Sequence, residues 1–202
     1  PTPLEYAKNL SDFLGGPRIF FKRDDLTALA FGGNKTRKLE FIMADAVKRR
    51  ADVIVTLGGV QSNWVRQTAS AARRLGMDVV VALEDEEPAH YQGNLLLDHI
   101  MGCHLRFVEG MTQGVEDREI AGEAPVTGPI AEEFRAQGKT PYIAPLGGAT
   151  PLGNLGYVNA VLELRQQAGD MGISADYLVA ATGTGGTQAG LALGVRLAGM
   201  KT

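Results

Sequence analysis

Val53-Ile54-Val55-Thr56-Leu57-Gly58-Gly59-Val60-Gln61-Ser62-Asn63-Trp64 is the stretch that decides the fold. The first five residues are β-branched or leucine, a run too short for a helix, and they read as a strand buried on both faces. Two glycines break the run. Ser62 then stands where a helix N-cap is expected, ahead of a helical run to Leu75. Strand, glycine turn and helix in that order make one unit of a parallel α/β sheet.

The same rhythm extends outward. Upstream, residues 19–22 read as a strand entering Arg23-Asp24-Asp25, and residues 38–50 as a helix. Downstream, strands are expected at 79–83, 105–108 and 142–144, separated by helices near 93–101 and 129–137, which gives four parallel strands in one compact run. Residues 109–128 are polar and punctuated by glycine, so they read as a loop with a short helix at most. Beyond the turn Gly147-Gly148-Ala149-Thr150-Pro151-Leu152-Gly153 come a helix over about 154–168, an apolar strand at 177–181, a second glycine-rich turn and a helix from about Ala189. The expected fold class is α/β, two-lobed, with parallel sheets and flanking helices. Residues 1–45 with 149–202 make a large lobe, and residues 46–148 a small lobe holding the four-stranded parallel sheet.

Composition removes several classes of function. The chain is 45% hydrophobic and 21% charged, enough for a sizeable core, and its formal net charge of −3 provides no basic field for nucleic acid. No apolar run approaches the roughly 20 residues of a bilayer span, and Pro1-Thr2-Pro3-Leu4-Glu5 lacks the basic and apolar regions of a signal peptide. The single Cys103 excludes an internal disulfide framework and fits a reducing compartment, so the cytoplasm is the expected location. His90, His99 and His104 have no metal-ligand spacing with Cys103, and no metal is expected. The chain starts without Met and stops just after a helix, so a fragment is expected.

Two runs carry the chemistry. Gly32-Gly33-Asn34-Lys35-Thr36-Arg37-Lys38-Leu39-Glu40 offers an amine at a helix start, and Thr182-Gly183-Thr184-Gly185-Gly186-Thr187-Gln188 offers free backbone N–H groups at another. The second is a cradle for an anion. Amine and cradle together read as a site for pyridoxal 5'-phosphate, whose aldehyde a lysine holds as a Schiff base. At the turn after the 53–57 strand, Ser62 is suited to a substrate carboxylate and Asn63 to a phenolic oxygen. Each residue also has a plainer reading. Lys35 alone would be a solvated charge, Ser62 a helix cap, the glycines a tight turn, Asp24 and Asp25 loop and cap groups, and Trp64 either core or pocket wall.

Six blocks in order resemble one family: Pro1 to Glu5, Lys22-Arg23-Asp24-Asp25-Leu26-Thr27, the Gly32 to Glu40 run, Gln61-Ser62-Asn63 with Arg66-Gln67-Thr68-Ala69, Gly147-Gly148 with Pro151-Leu152-Gly153, and Thr182 to Thr187. The chain resembles the tryptophan-synthase-like, fold-type II pyridoxal-phosphate enzymes, in the branch of 1-aminocyclopropane-1-carboxylate deaminase, D-cysteine desulfhydrase and L-cysteate sulfo-lyase. The resemblance implies Lys35 as the Schiff-base lysine, Lys38 as a phosphate partner, Asn63 on the cofactor ring oxygen, and Gly183, Thr184, Gly185, Gly186 and Thr187 as the phosphate cup. It implies that Ser62 faces a small amino-acid substrate, with Gln61, Asn63 and Trp64 beside it; many relatives have His where this chain has Trp64. It also implies a homodimer, and a longer chain whose C-terminal part is missing here. The expected reaction is β-elimination or cyclopropane ring opening, giving a keto acid and ammonia. The alternatives are a non-catalytic ligand-binding or truncated pseudoenzyme of the same fold and, more remotely, a dinucleotide-binding oxidoreductase using the Gly183 to Gly190 turn.

Overall fold

A computed structural model describes residues 1–109 and 113–201. In chain order the elements are β1 (Leu4–Tyr6), α1 (Lys8–Leu14), β2 (Phe20–Lys22), α2 (Lys35–Lys48), β3 (Val53–Gly59), α3 (Asn63–Arg74), β4 (Asp78–Glu84), α4 (Gly93–Ile100), β5 (His104–Val108), α5 (Gln113–Ala121), α6 (Thr127–Ala136), β6 (Pro141–Ile143), α7 (Pro151–Asp170) and α8 (Gly186–Leu197).

The opening stretch forms the centre of a four-stranded sheet of order β5-β4-β3-β6. All three pairings are parallel, with Val55 opposite both Val80 and Ile143. Successive side chains of a strand point to opposite faces, and here both faces are covered. Ile54, Val79, Val81 and Leu83 pack with Leu39, Ile42 and Met43 of α2, Trp64, Val65 and Ala69 of α3, and Leu95 of α4. Val53, Val55, Leu57, Val80 and Ala82 pack with Ile130 and Ala131 of α6. A strand apolar at nearly every position is what a doubly covered sheet requires.

Outside this sheet, β1 and β2 pair antiparallel, Leu4 opposite Lys22. Helices α2, α7 and α8 pack in series by close backbone approach. A Cβ on Gly156 of α7 would lie 2.1 Å from the Arg37 carbonyl oxygen, and one on Gly190 of α8 would lie 2.5 Å from the Asn154 carbonyl oxygen. Only a residue without a side chain permits either crossing.

Two expectations need correction, and the short helix allowed within 109–128 becomes definite. No strand forms at 177–181: Tyr177 and Val179 are 88% and 91% exposed, and no described strand pairs with them. A strand is a pairing rather than a local shape, so an apolar run without a neighbouring edge stays irregular. The polar stretch 109–128 holds α5, whose Glu119 is 2% exposed and accepts from Val126 N–H (2.6 Å), Thr127 N–H (3.0 Å) and the Thr127 hydroxyl (2.6 Å). Glu119 thus satisfies orphan amides at the start of α6. Residues 110–112 of that stretch lie outside the described residues. Second, α2 starts three residues earlier than expected and α8 starts at Gly186, so Lys35 and the glycine turn both sit at helix starts.

Candidate active site

A cavity of about 620 Å³ lies beyond the carboxyl ends of β3 and β6, where the starts of α2, α3 and α8 meet. That is the usual ligand position of open α/β sheets.

Lys35 is the first residue of α2 and lines the cavity. The chain reaches it through an unusual turn in which Ala30, Phe31, Gly32 and Gly33 all have positive φ, at 46°, 64°, 78° and 134°. Gly32 is obligatory, since a Cβ there would lie 1.9 Å from the Asp25 carbonyl oxygen. Arg66 of α3 holds this turn by donating to the carbonyls of Ala30 and, at 2.9 Å, of Gly32. The Thr27 hydroxyl adds bonds to both the N–H (2.8 Å) and the C=O (2.7 Å) of Gly33. Burial lowers the pKa of the Lys35 amine, because charge is less favourable away from water.

Lys38, one turn on, is 0% exposed and donates to the Gly147 carbonyl at 3.0 Å. Burial first, and the charge of Lys35 second, bring it down to about 8. Behind both lysines, α2 is tied to the rest of the chain by Arg37. Its guanidinium grips Asp24 through two nitrogens, at 2.8 Å each, and Glu163 at 3.0 Å. Asp24 is therefore a structural ion-pair partner, and Asp25 pairs with Arg23. Among the described residues no acidic, His or Cys cluster is arranged to hold a metal.

Ser62 caps α3, its Oγ accepting from Val65 N–H at a long 3.4 Å, and it also lines the cavity. Cap and cavity wall coexist. Asn63 lines the cavity and donates through Nδ2 to Asn34 Oδ1 at 3.0 Å. Trp64 is both core and wall: it is 1% exposed, its indole N–H donates to Thr56 Oγ1 at 2.8 Å, and the residue lines the cavity. Gln61 is exposed and turned away. Its side chain donates to the Gln92 carbonyl (3.0 Å) and accepts from Asn94 N–H (2.9 Å), and it does not line the cavity.

The glycine-rich turn closes the opposite side. Gly183, Thr184, Gly185 and Thr187 line the cavity, and Gly185, in the left-handed region, begins α8. The first intrahelical bond runs from Ala189 N–H to the Gly185 carbonyl, so the preceding amides have no acceptor in the helix. Gly186 sits just behind the wall, where a Cβ would lie 2.8 Å from Lys38 Nζ. Its lack of a side chain lets the helix start approach that ammonium. The convergence is closest at Gly147, whose absent Cβ would lie 3.1 Å from Thr184 and 3.8 Å from Lys35 Nζ.

Sequence reasoning missed part of the wall. Asn34, Leu146, and Glu116 and Ile120 of α5 also line the cavity. Asn34 occupies the N-cap position before Lys35 and was open to discovery by capping logic; nothing local marks Glu116 as a cavity residue.

An α/β scaffold that sets a desolvated amine against a helix N-terminus backed by a buried ammonium is built for a ligand with an electrophilic carbon and an anionic group. Pyridoxal 5'-phosphate has both, and Lys35, Lys38 and the start of α8 fit it. Comparison with known proteins agrees: residues 1–202 match the family described as pyridoxal-phosphate dependent enzymes, and the chain belongs to that family. It is 45% identical over 196 residues to a Pyrococcus furiosus protein provisionally named 1-aminocyclopropane-1-carboxylate deaminase, covering 97% of this chain and 56% of the relative. It is 44% identical over 200 residues to the D-cysteine desulfhydrase of Klebsiella pneumoniae (strain 342), covering 96% of this chain and 58% of the relative. The crystal structure of an ACC deaminase homologue superposes with a TM-score of 0.87 at 41% identity, covering 99% of this chain and 57% of that one. The chain thus spans little more than half the length of these relatives. The dinucleotide alternative is not favoured by these relatives, and among the described residues no strand precedes the Gly183 turn.

Proposed function

We propose that the protein is a pyridoxal-phosphate dependent lyase or deaminase that converts a small amino acid to a keto acid and ammonia. The substrate is of the type named for its relatives, D-cysteine or 1-aminocyclopropane-1-carboxylate. The observation that carries this reading is the presence of Lys35 and the amide-rich start of α8 in one cavity, with Gly147 between them.

When bound, the cofactor supplies an aldehyde that captures amines and a conjugated ring that accepts the electron pair left at the substrate α-carbon. The chain's own residues do the rest. Lys35 Nζ, its pKa lowered by burial, would anchor the cofactor and, with D-cysteine, would accept the α proton; 1-aminocyclopropane-1-carboxylate has no α proton, and there a ring bond opens instead. Lys38 and the amides of Gly186 and Thr187 hold the phosphate. Asn63, its amide oriented by Asn34, donates to the ring oxygen, and Ser62 faces the substrate carboxylate. Trp64 and Leu146 form an apolar wall that keeps water from the reacting carbon.

The two-lobed division, with residues 1–45 and 149–202 around 46–148, a homodimeric assembly and a cytoplasmic location belong to the same reading. No helix among the described residues is long and apolar enough to cross a membrane.

The test uses the intact protein. Incubation with pyridoxal 5'-phosphate followed by borohydride should leave a stable adduct on Lys35, and the loaded protein should release keto acid and ammonia from one of the two substrates. An adduct without turnover would leave a ligand-binding protein. Absence of the adduct would end the proposal.

A further inference from the structure

Gln67 of α3 is 0% exposed, and its side chain joins the two helix starts that face the cavity. Its Oε1 accepts from both the N–H and the hydroxyl of Thr36, at 2.9 Å each, and its Nε2 donates to the Asn63 carbonyl at 3.1 Å. Thr36 directly follows Lys35 in the first turn of α2, where an N–H has no intrahelical acceptor. Asn63 opens α3. One buried amide therefore ties the backbone beside Lys35 to the backbone of the Ser62–Asn63 turn. The chain leaves room for it at Gly33, where a Cβ would lie 2.3 Å from Gln67 Nε2.

We propose that Gln67 is a positioning residue, which fixes where Lys35 enters the cavity relative to the Ser62–Asn63 turn. The inference rests on the reading of Lys35 as the lysine that captures pyridoxal 5'-phosphate. An apolar side chain of similar volume would fill the same space. It would leave the Thr36 N–H without an acceptor and remove the shorter of the two bonds of the Thr36 hydroxyl, the other running to Thr27 Oγ1 at 3.2 Å, and a donor left in this way draws water or shifts the backbone until it finds a partner. Either response loosens the first turn of α2 and lets water reach the Lys35 amine. An amine attacks an aldehyde only as the free base, so better hydration moves its reactivity to higher pH.

The experiment compares the intact wild-type protein with Gln67→Met and Thr36→Val. Each is mixed with pyridoxal 5'-phosphate over a range of pH and trapped with borohydride, and the adduct at Lys35 is counted by mass spectrometry. Thermal unfolding checks that each variant is folded. In Gln67→Met the pH of half-maximal capture should rise by about one unit, so that capture at neutral pH slows about tenfold. Thr36→Val, which removes the hydroxyl bonds to Gln67 and Thr27 but keeps the Thr36 N–H bond to Gln67, should shift the midpoint less and in the same direction, and it carries the test if Gln67→Met does not fold. A lower melting temperature with a wild-type capture midpoint in both variants means that Gln67 is merely structural and overturns the proposal. No adduct at Lys35 in the wild type removes the cofactor reading, and the positioning role with it.

Discussion

Gly156 of α7 stands against the carbonyl of Arg37 in α2 so closely that a Cβ on it would lie 2.1 Å from that oxygen. The contact sets how α7 packs on the helix that carries both lysines. Helix propensity alone would favour Gly156→Ala by about 1 kcal/mol. The clash is with backbone, which has no rotamer to escape into, and overpacking of this kind costs roughly 1–3 kcal/mol. Gly156→Ala is therefore expected to destabilise the protein and to weaken cofactor retention. Urea unfolding and titration with pyridoxal 5'-phosphate check both effects, and a stabilised variant would contradict the packing argument.

Glu163 of α7 is held at about 2: burial acts to raise it, but hydrogen bonds from Arg37, Lys22 and Thr2 N–H outweigh burial. Because the unfolded chain protonates this carboxyl near 4.5, it binds more protons than the folded chain between these values. Stability from Glu163 is then complete above 4.5 and is lost as the pH falls towards 2. Glu163→Gln should cost roughly 2 kcal/mol at neutral pH, since it removes the counter-charge of Lys22 and one of the two carboxylates held by Arg37, while Lys22 keeps its bonds to the Thr2 carbonyl and Gln167. It should also flatten the acid limb of the unfolding curve.

Lys38 has the same sign in a higher pH window. Folding lowers it from 10.5 to about 8, so in this interval the unfolded chain holds more protons and stability rises with pH. Denaturant midpoints of the cofactor-free protein should increase between pH 8 and 10. Inorganic phosphate or pyridoxal 5'-phosphate, by favouring the ammonium, should reduce that slope. If neither anion alters it, Lys38 is not a phosphate partner.

Trp64 separates packing from hydrogen bonding. Trp64→Phe keeps a smaller ring in the core but removes the donor to Thr56 Oγ1 and the outer ring atoms beside Gly148, with an expected loss of about 1–2 kcal/mol. Trp64→Ala should cost about 3–5 kcal/mol, because it opens a cavity between β3 and α2. Calorimetry of the two variants gives the comparison, and equal losses would mean that ring packing contributes little.

Much of the fold was legible because its signals are local. The aliphatic run of β3, the paired glycines after it and Ser62 at the cap of α3 mark strand, turn and helix without reference to distant residues. The ends of β4, β5 and β6 fall within a residue or so of expectation for the same reason. Where a signal needed a partner, reading failed. The run at 177–181 has strand composition and no edge to pair with. β2 falls within the strand expected at 19–22, but its partner β1 and the short α1 went unseen, because a three-residue strand and an uncapped seven-residue helix leave little periodicity to count. Helix α5 was legible only as a short helix within a polar loop, because its main anchor, Glu119, is an acidic residue buried only by virtue of the Thr127 N–H and hydroxyl it meets.

The sequence by itself determined the parallel α/β architecture, the two runs that hold an amine and a ring of free amides, and the kinship those runs imply. Tertiary structure alone decided that Lys35 and Thr184 approach the same point beside Gly147, that Lys38 is fully buried, that Gln61 turns outward and that Glu116 joins the wall. The reason is physical. Backbone preferences act between neighbours in the chain, whereas desolvation, ion pairing and hydrogen-bond geometry depend on groups brought together from more than a hundred residues apart, and only packing fixes those distances.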